Sequence, residues 1–308
     1  MAQTGEPAFL NMSRIQYDDS TAVTVNPCCE ATLQNKDSCN LGSIILPRIR
    51  DLSHLEYVTR LAIQFLYNGS VKGDYPTPEI TETVARNRRI GLGIMGLHEY
   101  MLLHGHRYEW FPELQHLLAT WKEVSDDEAV KYANQQNGPI PITKRAIAPT
   151  GTISIIAETT SGIEPIYCVA YKRRYLKGDK HYFQYVVDPT AQRFIAAGIP
   201  SDQIEDAYQL AQDFERRLSV QAHVQEYVDQ AISSTVNLPA YGEPGNNNQK
   251  LLTDTITKYL PSLKGLTVYP NNSRSGQPLE PISIEETLGQ EGMIYEEDGS
   301  CSNGICGL

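Results

Sequence analysis

Residues 26–40 concentrate reactive side chains in a way that makes a poor structural element. The stretch reads NPCCEATLQNKDSCN, with Asn26 and Glu30 each two residues from Cys28, and Cys39 eleven residues further on. The proline and the polar run predict a loop, and a loop this polar lies at the surface or in a cleft where its side chains are used. A thiol beside a possible base, with an amide able to orient a hydroxyl, indicates chemistry on a bound polar substrate.

Two other interpretations of Cys28 were weighed. A lone cysteine is commonly a buried, inert side chain. A structural zinc site usually takes cysteine pairs two to four residues apart, whereas Cys28 and Cys29 are adjacent and cannot easily bind one ion together. The neighbouring Glu30 and Asn26 favour a catalytic cysteine, and no metal site is predicted.

A second candidate is residues 148–154, which read APTGTIS. Gly151 permits a close backbone approach, and Thr150, Thr152 and Ser154 offer hydroxyls. If a helix follows, its first N–H groups complete a cradle for phosphate. The alternative is a Pro-Gly turn capped by Ser and Thr. No P-loop lysine is present, so ATP hydrolysis is not supported.

The third candidate is the C-terminal CSNGIC, with Cys301 and Cys306 near the chain end. Two thiols on a glycine-containing tail can carry electrons into a site by thiol–disulfide exchange. The alternative is two spare surface thiols.

Residues 91–96 (GLGIMG) match GxGxxG formally. The preceding ETVARNRR is not a strand, so a dinucleotide site is rejected. Glycines that let a helix pack closely are the preferred interpretation.

Composition limits the class of protein. The 308 residues are 41% hydrophobic, contain six cysteines and carry a formal net charge of −11. No apolar run is long enough to span a bilayer, no signal peptide is recognisable, and the negative charge argues against a nucleic-acid partner. Six cysteines in a chain of this length without a signal predict reduced thiols and a cytoplasmic protein.

Hydrophobic patterns predict alternating helices and strands, and so an α/β fold with a parallel sheet. Strands are predicted at 21–25, 183–187, 233–238 and 265–269, and helices at 54–67, 77–101, 110–137, 204–232 and 253–263. Residues from about 283 onward are predicted to form a mobile tail.

Taken together and in order, the motifs resemble those of the large, catalytic chain of ribonucleotide reductase. They are NPCxE, CNLGSI, RRIGLGIMGL, APTGTIS, SSTVNLP, GLTVY and a terminal CxxxxC. The resemblance implies a ten-stranded α/β barrel of two five-stranded halves, helices outside, with the radical cysteine on a central finger loop. Residues 1–282 would form the C-terminal half of that barrel, with finger loop 26–40, and residues 283–308 a flexible redox-active tail.

The resemblance also implies roles for single residues. Cys28 would be the thiyl radical that abstracts the 3′-hydrogen of the ribose, Glu30 the general base for the 3′-hydroxyl, and Asn26 a ligand of the ribose hydroxyls. Cys39 would be one of two thiols that reduce the substrate. The substrate phosphates would be bound by Pro149, Thr150, Gly151, Thr152, Ile153 and Ser154.

Cys301 and Cys306 would re-reduce the active-site disulfide, with thioredoxin or glutaredoxin as external reductant. Direct radical generation by adenosylcobalamin is predicted, because Tyr269 is followed by Pro270 and not by a second tyrosine. The alternative is a class I type of enzyme with a metal-containing radical subunit.

Two departures from the family pattern stand out. Cys29 occupies a position where the family usually has a small residue such as glycine. The family's barrel also begins well before this sequence, so the first barrel half and the partner cysteine of Cys39 are missing, and Cys168 has no matching family role that would fill that place. We therefore expect a separate N-terminal chain to supply them, since open sheet edges need pairing. The rival hypothesis is a non-catalytic nucleotide-binding or regulatory remnant.

Overall fold

A computed structural model describes residues 1–273 and 279–296. The chain separates into two compact units, which are described one at a time. The larger comprises residues 1–167 and 205–273, and the smaller contains residues 168–204 with the described residues after 278.

The described residues form short strands, numbered in chain order. They are β1 (Phe9–Leu10), β2 (Thr24–Val25), β3 (Thr32–Leu33), β4 (Asn40–Ile45), β5 (Ile90–Met95), β6 (Ala170–Lys177), β7 (Lys180–Val187), β8 (Thr235–Leu238), β9 (Gly265–Pro270), β10 (Leu279–Pro281) and β11 (Ile294–Glu296).

The helices are numbered in the same way. They are α1 (Met12–Asp18), α2 (Leu52–Lys72), α3 (Pro78–Asn87), α4 (Leu97–Leu103), α5 (Pro112–Gln135), α6 (Gly151–Ile156), α7 (Pro189–Ala196), α8 (Ala207–Leu210), α9 (Phe214–Gln225), α10 (Gln249–Tyr259) and α11 (Ile284–Thr287).

In the larger unit, parallel pairing continues across five chain segments. β4 pairs with β5 in register Asn40↔Ile90, and β8 pairs with β9. Residues 145–147 join the two pairs, through the parallel bridges Leu92↔Arg145 and Ile147↔Ile232. β1 adds to β9 in the antiparallel sense. Because the intervening helices provide the crossovers, the result is an open, mostly parallel α/β arrangement.

The centre of this arrangement is β5, whose six residues are all buried. A parallel strand covered on both faces reads as a continuous apolar run without alternation. Gly91 and Gly93 are required by close neighbours: a Cβ at 91 would lie 2.6 Å from Leu41 Cδ2, and one at 93 would lie 2.5 Å from the Ala146 carbonyl oxygen. The glycines therefore let strands approach, not a helix as the sequence suggested.

The helix predicted over 77–101 is wrong in its second half. α3 begins as predicted, with Pro78 in its first turn and the Thr77 hydroxyl accepting from the Ile80 N–H, but it ends at Arg88, whose φ of 46° is left-handed. The helix stops there and β5 follows. Apolar residues at 90, 94 and 97 that suggested one helix face belong instead to a buried strand and to α4.

Helix α2 packs on β4 and β5, and α5 packs on α2, so that these elements enclose the main hydrophobic core. Trp121, Leu118, Leu55 and Ile63 are fully buried there together with Ile94 of β5. Each Leu or Ile fully buried contributes roughly 1.5–3 kcal/mol. This core fixes the strand ends from which the site is built.

The smaller unit is built on a hairpin of β6 and β7, with β10 and β11 added at its two edges in antiparallel fashion. Its aromatic side chains pack against one another, for example Phe183 on Tyr295. Residues 301 and 306 lie outside the described residues, so the proposed redox tail stays a prediction. Across residues 1–273 and 279–296, no helix has the length and apolar character needed to cross a membrane.

Candidate active site

The first part of the predicted finger loop 26–40 is the tip of a small hairpin. β2 and β3 pair in register Val25↔Thr32, and the loop between them is closed twice: Asn26 N–H donates to the Ala31 carbonyl and Ala31 N–H donates to Asn26 Oδ1, both at 3.0 Å. Cys29 N–H donates to the Asn26 carbonyl at 2.9 Å, which makes a β-turn with Pro27 in its second position, where proline is favoured. Cys28 is exposed at this tip.

Cys29 has a left-handed backbone, with φ 68°. A residue with a Cβ is strained in this region and glycine is not. The turn therefore explains why glycine is usual at this position in the family. It gives no role to the Cys29 thiol.

Glu30 is buried beside the exposed cysteine. Only 2% of its surface is exposed, and its Oε2 atom has no hydrogen-bond partner among the described residues. A buried carboxylate oxygen without a donor is costly. A hydroxyl of a bound ligand would satisfy this oxygen.

Cys39 lies immediately before β4, and its sulfur accepts a hydrogen bond from Gln230 Nε2 at 3.5 Å. Burial raises the pKa of the Cys39 thiol to about 12. The group is therefore a protonated thiol at neutral pH and can donate a hydrogen.

The hairpin and Cys39 are held by the same short segment. Ala231 N–H donates to the Glu30 carbonyl at 2.9 Å, and Gln230 Oε1 accepts from Thr32 N–H at 3.1 Å. Residues 230–231 thus contact both the Cys28 hairpin and the Cys39 sulfur. Gln230 is not among the residues predicted from sequence, and its only sequence signal is a polar residue directly before the apolar pair Ala231 and Ile232.

A buried ion-pair cluster fixes the chain on either side of the hairpin. Arg89 is fully buried, and its guanidinium donates to Asp19 and to Asp37 Oδ2, the latter at 3.0 Å from Nε. Asn87 Nδ2 donates to the same Asp37 oxygen at 2.9 Å. Arg89 thereby ties Asp37, two residues before Cys39, to the start of β5, a contact that no sequence pattern predicts.

The segment predicted to bind phosphate turns into α6 at Gly151, after Thr150 in a left-handed conformation (φ 55°). Together with residues 41–43 of β4 it lines a cavity of about 190 Å³, to which Thr150, Gly151, Thr152 and Ile153 contribute. The cavity begins two residues after Cys39. A larger cavity, of about 430 Å³, lies near the starts of α2 and α5 and contains none of the predicted site residues.

The three hydroxyls of this segment have different surroundings. Thr150 Oγ1 accepts from Gly162 N–H at 2.7 Å, and Ser154 Oγ bonds to Ser161 Oγ at 2.8 Å. Thr152 is exposed and lines the cavity. Ser154 is buried outside the lining, so it supports the turn from behind, whereas Thr152 faces the space where a ligand fits.

Other predicted residues are not brought to this site. Cys168 is buried and belongs to the smaller unit. Cys301 and Cys306 lie outside the described residues. Their proposed roles are not tested by the structure.

The family model described as "Ribonucleotide reductase, barrel domain" matches residues 2–111 and 113–269. The chain belongs to the ribonucleotide reductase family. The match covers the hairpin, Cys39, residues 148–154 and β9 as far as Tyr269. It confirms the resemblance on which the site residues were proposed.

Curated relatives include a vitamin B12-dependent ribonucleoside-diphosphate reductase of Mycobacterium tuberculosis (strain CDC 1551 / Oshkosh). It is 30% identical over 322 residues, which cover 91% of this chain and 46% of the relative. A putative adenosylcobalamin-dependent ribonucleoside-triphosphate reductase of Mycobacterium phage D29 is 27% identical, with 99% and 49% covered. The chain thus spans about half the length of these relatives.

The fold agrees with solved structures. A crystal structure of a B-12 dependent (class II) ribonucleotide reductase superposes with a TM-score of 0.77 at 17% identity, covering 94% of this chain and 46% of that one. The alpha subunit of a class Id ribonucleotide reductase from Actinobacillus ureae gives 0.64 at 16% identity, covering 88% and 59%. The predicted α/β half barrel is confirmed, since the parallel strands match the barrel fold without closing.

Proposed function

We propose that this chain is the catalytic C-terminal half of a ribonucleotide reductase that converts ribonucleotides to deoxyribonucleotides by a thiyl-radical mechanism. The observation that carries the proposal is the attachment of the Cys28 hairpin and the Cys39 sulfur to the same two residues, Gln230 and Ala231. The cavity at Thr150–Ile153 lies directly along β4 from Cys39.

In this proposal each side chain does one step. The Cys28 thiyl radical takes the 3′-hydrogen atom, and Glu30 accepts the proton of the 3′-hydroxyl. The 2′-hydroxyl leaves as water, while Cys39 and a second thiol together give two electrons and two protons and become a disulfide. Cys28 then returns the hydrogen atom to C3′, so the radical is regenerated.

Asn26 is placed to orient the substrate. Its Oδ1 closes the hairpin, which leaves the Nδ2 hydrogens of the same amide to bind a ribose hydroxyl. The hydroxyl of Thr152 and the first N–H groups of α6 would bind phosphate next to Pro149 and Thr150.

The proposed cofactor is adenosylcobalamin, as in the names of several relatives. Cys28 fits this cofactor, because its exposed position at a hairpin tip lets a radical source reach its sulfur. When bound, adenosylcobalamin supplies the organic radical that oxidises the Cys28 thiol. Tyr269 followed by Pro270 offers no tyrosine pair for relay from a metal-containing subunit.

The proposed partner is a separate chain that carries the first barrel half and the second reducing thiol. Its support is the edge position of β4, which among the described residues pairs with β5 on one side only. Cys301 and Cys306 would pass electrons from thioredoxin or glutaredoxin to the active-site disulfide, in the reducing cytoplasm.

The test combines this chain, a chain carrying the first barrel half, adenosylcobalamin, a dithiol reductant and a ribonucleotide, and measures deoxyribonucleotide. Cys28→Ala is expected to abolish turnover while assembly persists, and Cys301→Ser with Cys306→Ser to allow a single turnover but block thioredoxin-driven cycling. Full activity of Cys28→Ala would refute the proposal. Nucleotide binding by this chain without turnover in any combination would instead favour a regulatory remnant.

A further inference from the structure

Gln230 uses its side-chain amide on three different elements. It is fully buried; Nε2 donates to Cys39 Sγ at 3.5 Å and to the Ile90 carbonyl at 2.9 Å, and Oε1 accepts from Thr32 N–H at 3.1 Å. A carboxamide has two donor hydrogens and one acceptor oxygen. All of these groups are therefore engaged, one of them by the Cys39 sulfur.

The backbone around Gln230 is equally constrained. Gln230 N–H donates to the Arg145 carbonyl at 3.0 Å, and its own carbonyl accepts from Gln225 Nε2 at 2.9 Å. Gly91 leaves the space that the side chain crosses, because a Cβ at position 91 would lie 3.2 Å from Gln230 Nε2. These contacts hold the side-chain amide of Gln230 in one orientation.

Thr32 lies four residues after Cys28 and two after Glu30. The Gln230 acceptor therefore fixes the base of the hairpin, while its donor fixes the sulfur. We infer that Gln230 is a positioning residue that sets the Cys28 hairpin and the Cys39 thiol in one register and orients the Cys39 sulfur. The inference rests on the proposed function for the roles of the two cysteines, but the hydrogen bonds can be tested without it.

A hydrogen bond donated to sulfur has two chemical consequences. Because the sulfur is the acceptor, the thiol hydrogen must point away from Gln230. The same N–H stabilises negative charge on the sulfur, and it opposes the effect of burial on the Cys39 pKa. Loss of the donor therefore raises that pKa further, which a purely structural loss elsewhere would not do.

Two variants separate the donor from the acceptor. Gln230→Leu removes both, whereas Gln230→Glu keeps an acceptor for Thr32 N–H and removes the donor to sulfur. The readouts, on the full chain alone, are the pH profile of Cys39 alkylation by iodoacetamide, followed by peptide mass spectrometry, and amide hydrogen exchange at Thr32.

Both variants are expected to shift the Cys39 profile to higher pH, by an amount that slows alkylation roughly fivefold to tenfold at a given pH. Thr32 exchange is expected to accelerate in Gln230→Leu and to stay slow in Gln230→Glu. Slow exchange at Thr32 together with a shifted alkylation profile of Cys39 in Gln230→Glu would show that the two hydrogen bonds of Gln230 act separately. If Gln230→Leu fails to fold, the milder Gln230→Glu variant still provides the test.

The matched control is Gln221→Leu. Gln221 is also fully buried and donates to a backbone carbonyl, that of Gly265, at 3.1 Å. It should leave both readouts unchanged. An unchanged Cys39 profile in both Gln230 variants would overturn the inference, as would an equal shift in Gln221→Leu.

Activity gives a separate outcome. In the reconstituted enzyme, Gln230→Leu should lower kcat with little change in the KM for ribonucleotide, because substrate binding uses other residues. If the Gln230→Leu enzyme is as active as the wild type, the positioning role is overturned. An inactive wild-type assembly would count against the proposed function while the alkylation and exchange results still decide the hydrogen bonds.

Discussion

Gly151 has no structural reason within the described part of the chain to be glycine. Its φ is not left-handed, and apart from its chain neighbours and the backbone of α6 no atom of the described residues lies within 4 Å of the place where a Cβ would be. Yet it lines the cavity at the start of α6. At this position the missing side chain leaves room for an external group, which agrees with the proposed phosphate site.

Gly151→Ala should therefore separate folding from binding. We expect unfolding free energy to be unchanged or raised by up to about 1 kcal/mol, because alanine favours the helix, while the KM for ribonucleotide rises roughly tenfold as the methyl group displaces phosphate. Urea unfolding and steady-state kinetics measure the two. Ile155→Ala is the control: Ile155 is 76% exposed on the same helix and outside the cavity lining. A KM change of equal size there would contradict this account.

A second residue-scale prediction concerns His98. It is fully buried, and its Nδ1 accepts from Ile166 N–H at 2.9 Å. Burial, with a smaller contribution from the Arg217 charge, lowers the pKa of His98 to about 3. The ring is therefore neutral in the folded protein, but the unfolded chain binds a proton once the pH falls below about 6.5.

The stability that His98 contributes is complete above about pH 6.5 and is lost as the pH falls toward 3. Between about pH 6.5 and pH 5 the loss amounts to about 2 kcal/mol. Urea unfolding at about pH 7.5 and pH 5 should show a larger decrease for the wild type than for His98→Gln, by roughly that amount. Equal decreases would contradict the assignment.

The sequence alone points to the reactive residues but not to the residues that position them. Cys28, Glu30 and Cys39 stand out because their chemistry is unusual for a loop. Gln230 and Arg89 have ordinary side chains whose importance comes from distant partners: Gln230 is 191 positions from Cys39. Such contacts exist only after the strands have paired, so no local pattern signals them.

At the scale of elements, the ion pairs at the start of β5 hold the hairpin's flanks. Arg89→Met leaves Asp19 and Asp37 buried without their cation. Removing one partner of a buried pair typically costs 3–5 kcal/mol, and we expect a loss of about that size in chemical unfolding. Arg14→Met removes a partly exposed pair with Asp18 and should cost less than about 1 kcal/mol. A similar small loss for both would show that the cluster contributes little.

Elements whose ends carry proline, glycine or capping residues were predicted well, and elements without such residues were not. Thr77-Pro78 and the Asn137-Gly138-Pro139 stop delimit α3 and α5 closely. β5 was taken for helix because a strand buried on both faces lacks the alternating pattern that identifies strands.

At the scale of the whole molecule, the parallel strands within residues 1–273 and 279–296 do not close. β4 ends the series, with β5 as its neighbour, and the chain covers less than half of its curated reductase relatives. The family resemblance supplied the expectation of a half barrel. Sequence patterns did not reveal that residues 168–204 belong with the described residues after 278 in a separate unit, because that grouping depends on pairing between β6 and β10.

Association with the proposed first-half chain should protect the β4 edge. On mixing, we expect backbone amides of residues 40–45 to exchange more slowly, since a new strand neighbour would bind the unpaired groups. Residues 265–270 are the internal control, because β9 already lies between β1 and β8. Hydrogen-exchange mass spectrometry measures both. Uniform slowing in the two strands, or none in β4, would contradict docking at this edge.

The crowding around Gly91 and Gly93 carries a consequence for directed evolution. In a saturation library of this gene selected for folded protein, glycine should be nearly invariant at positions 91 and 93. Even one methyl group would collide with Leu41 at the first position and with the Ala146 carbonyl at the second. Gly105 and Gly178, where nothing lies within 4 Å, should accept Asn or Asp, which tolerate left-handed backbone. The substitutions accepted at each glycine would then report how closely the strands approach one another, without an activity assay.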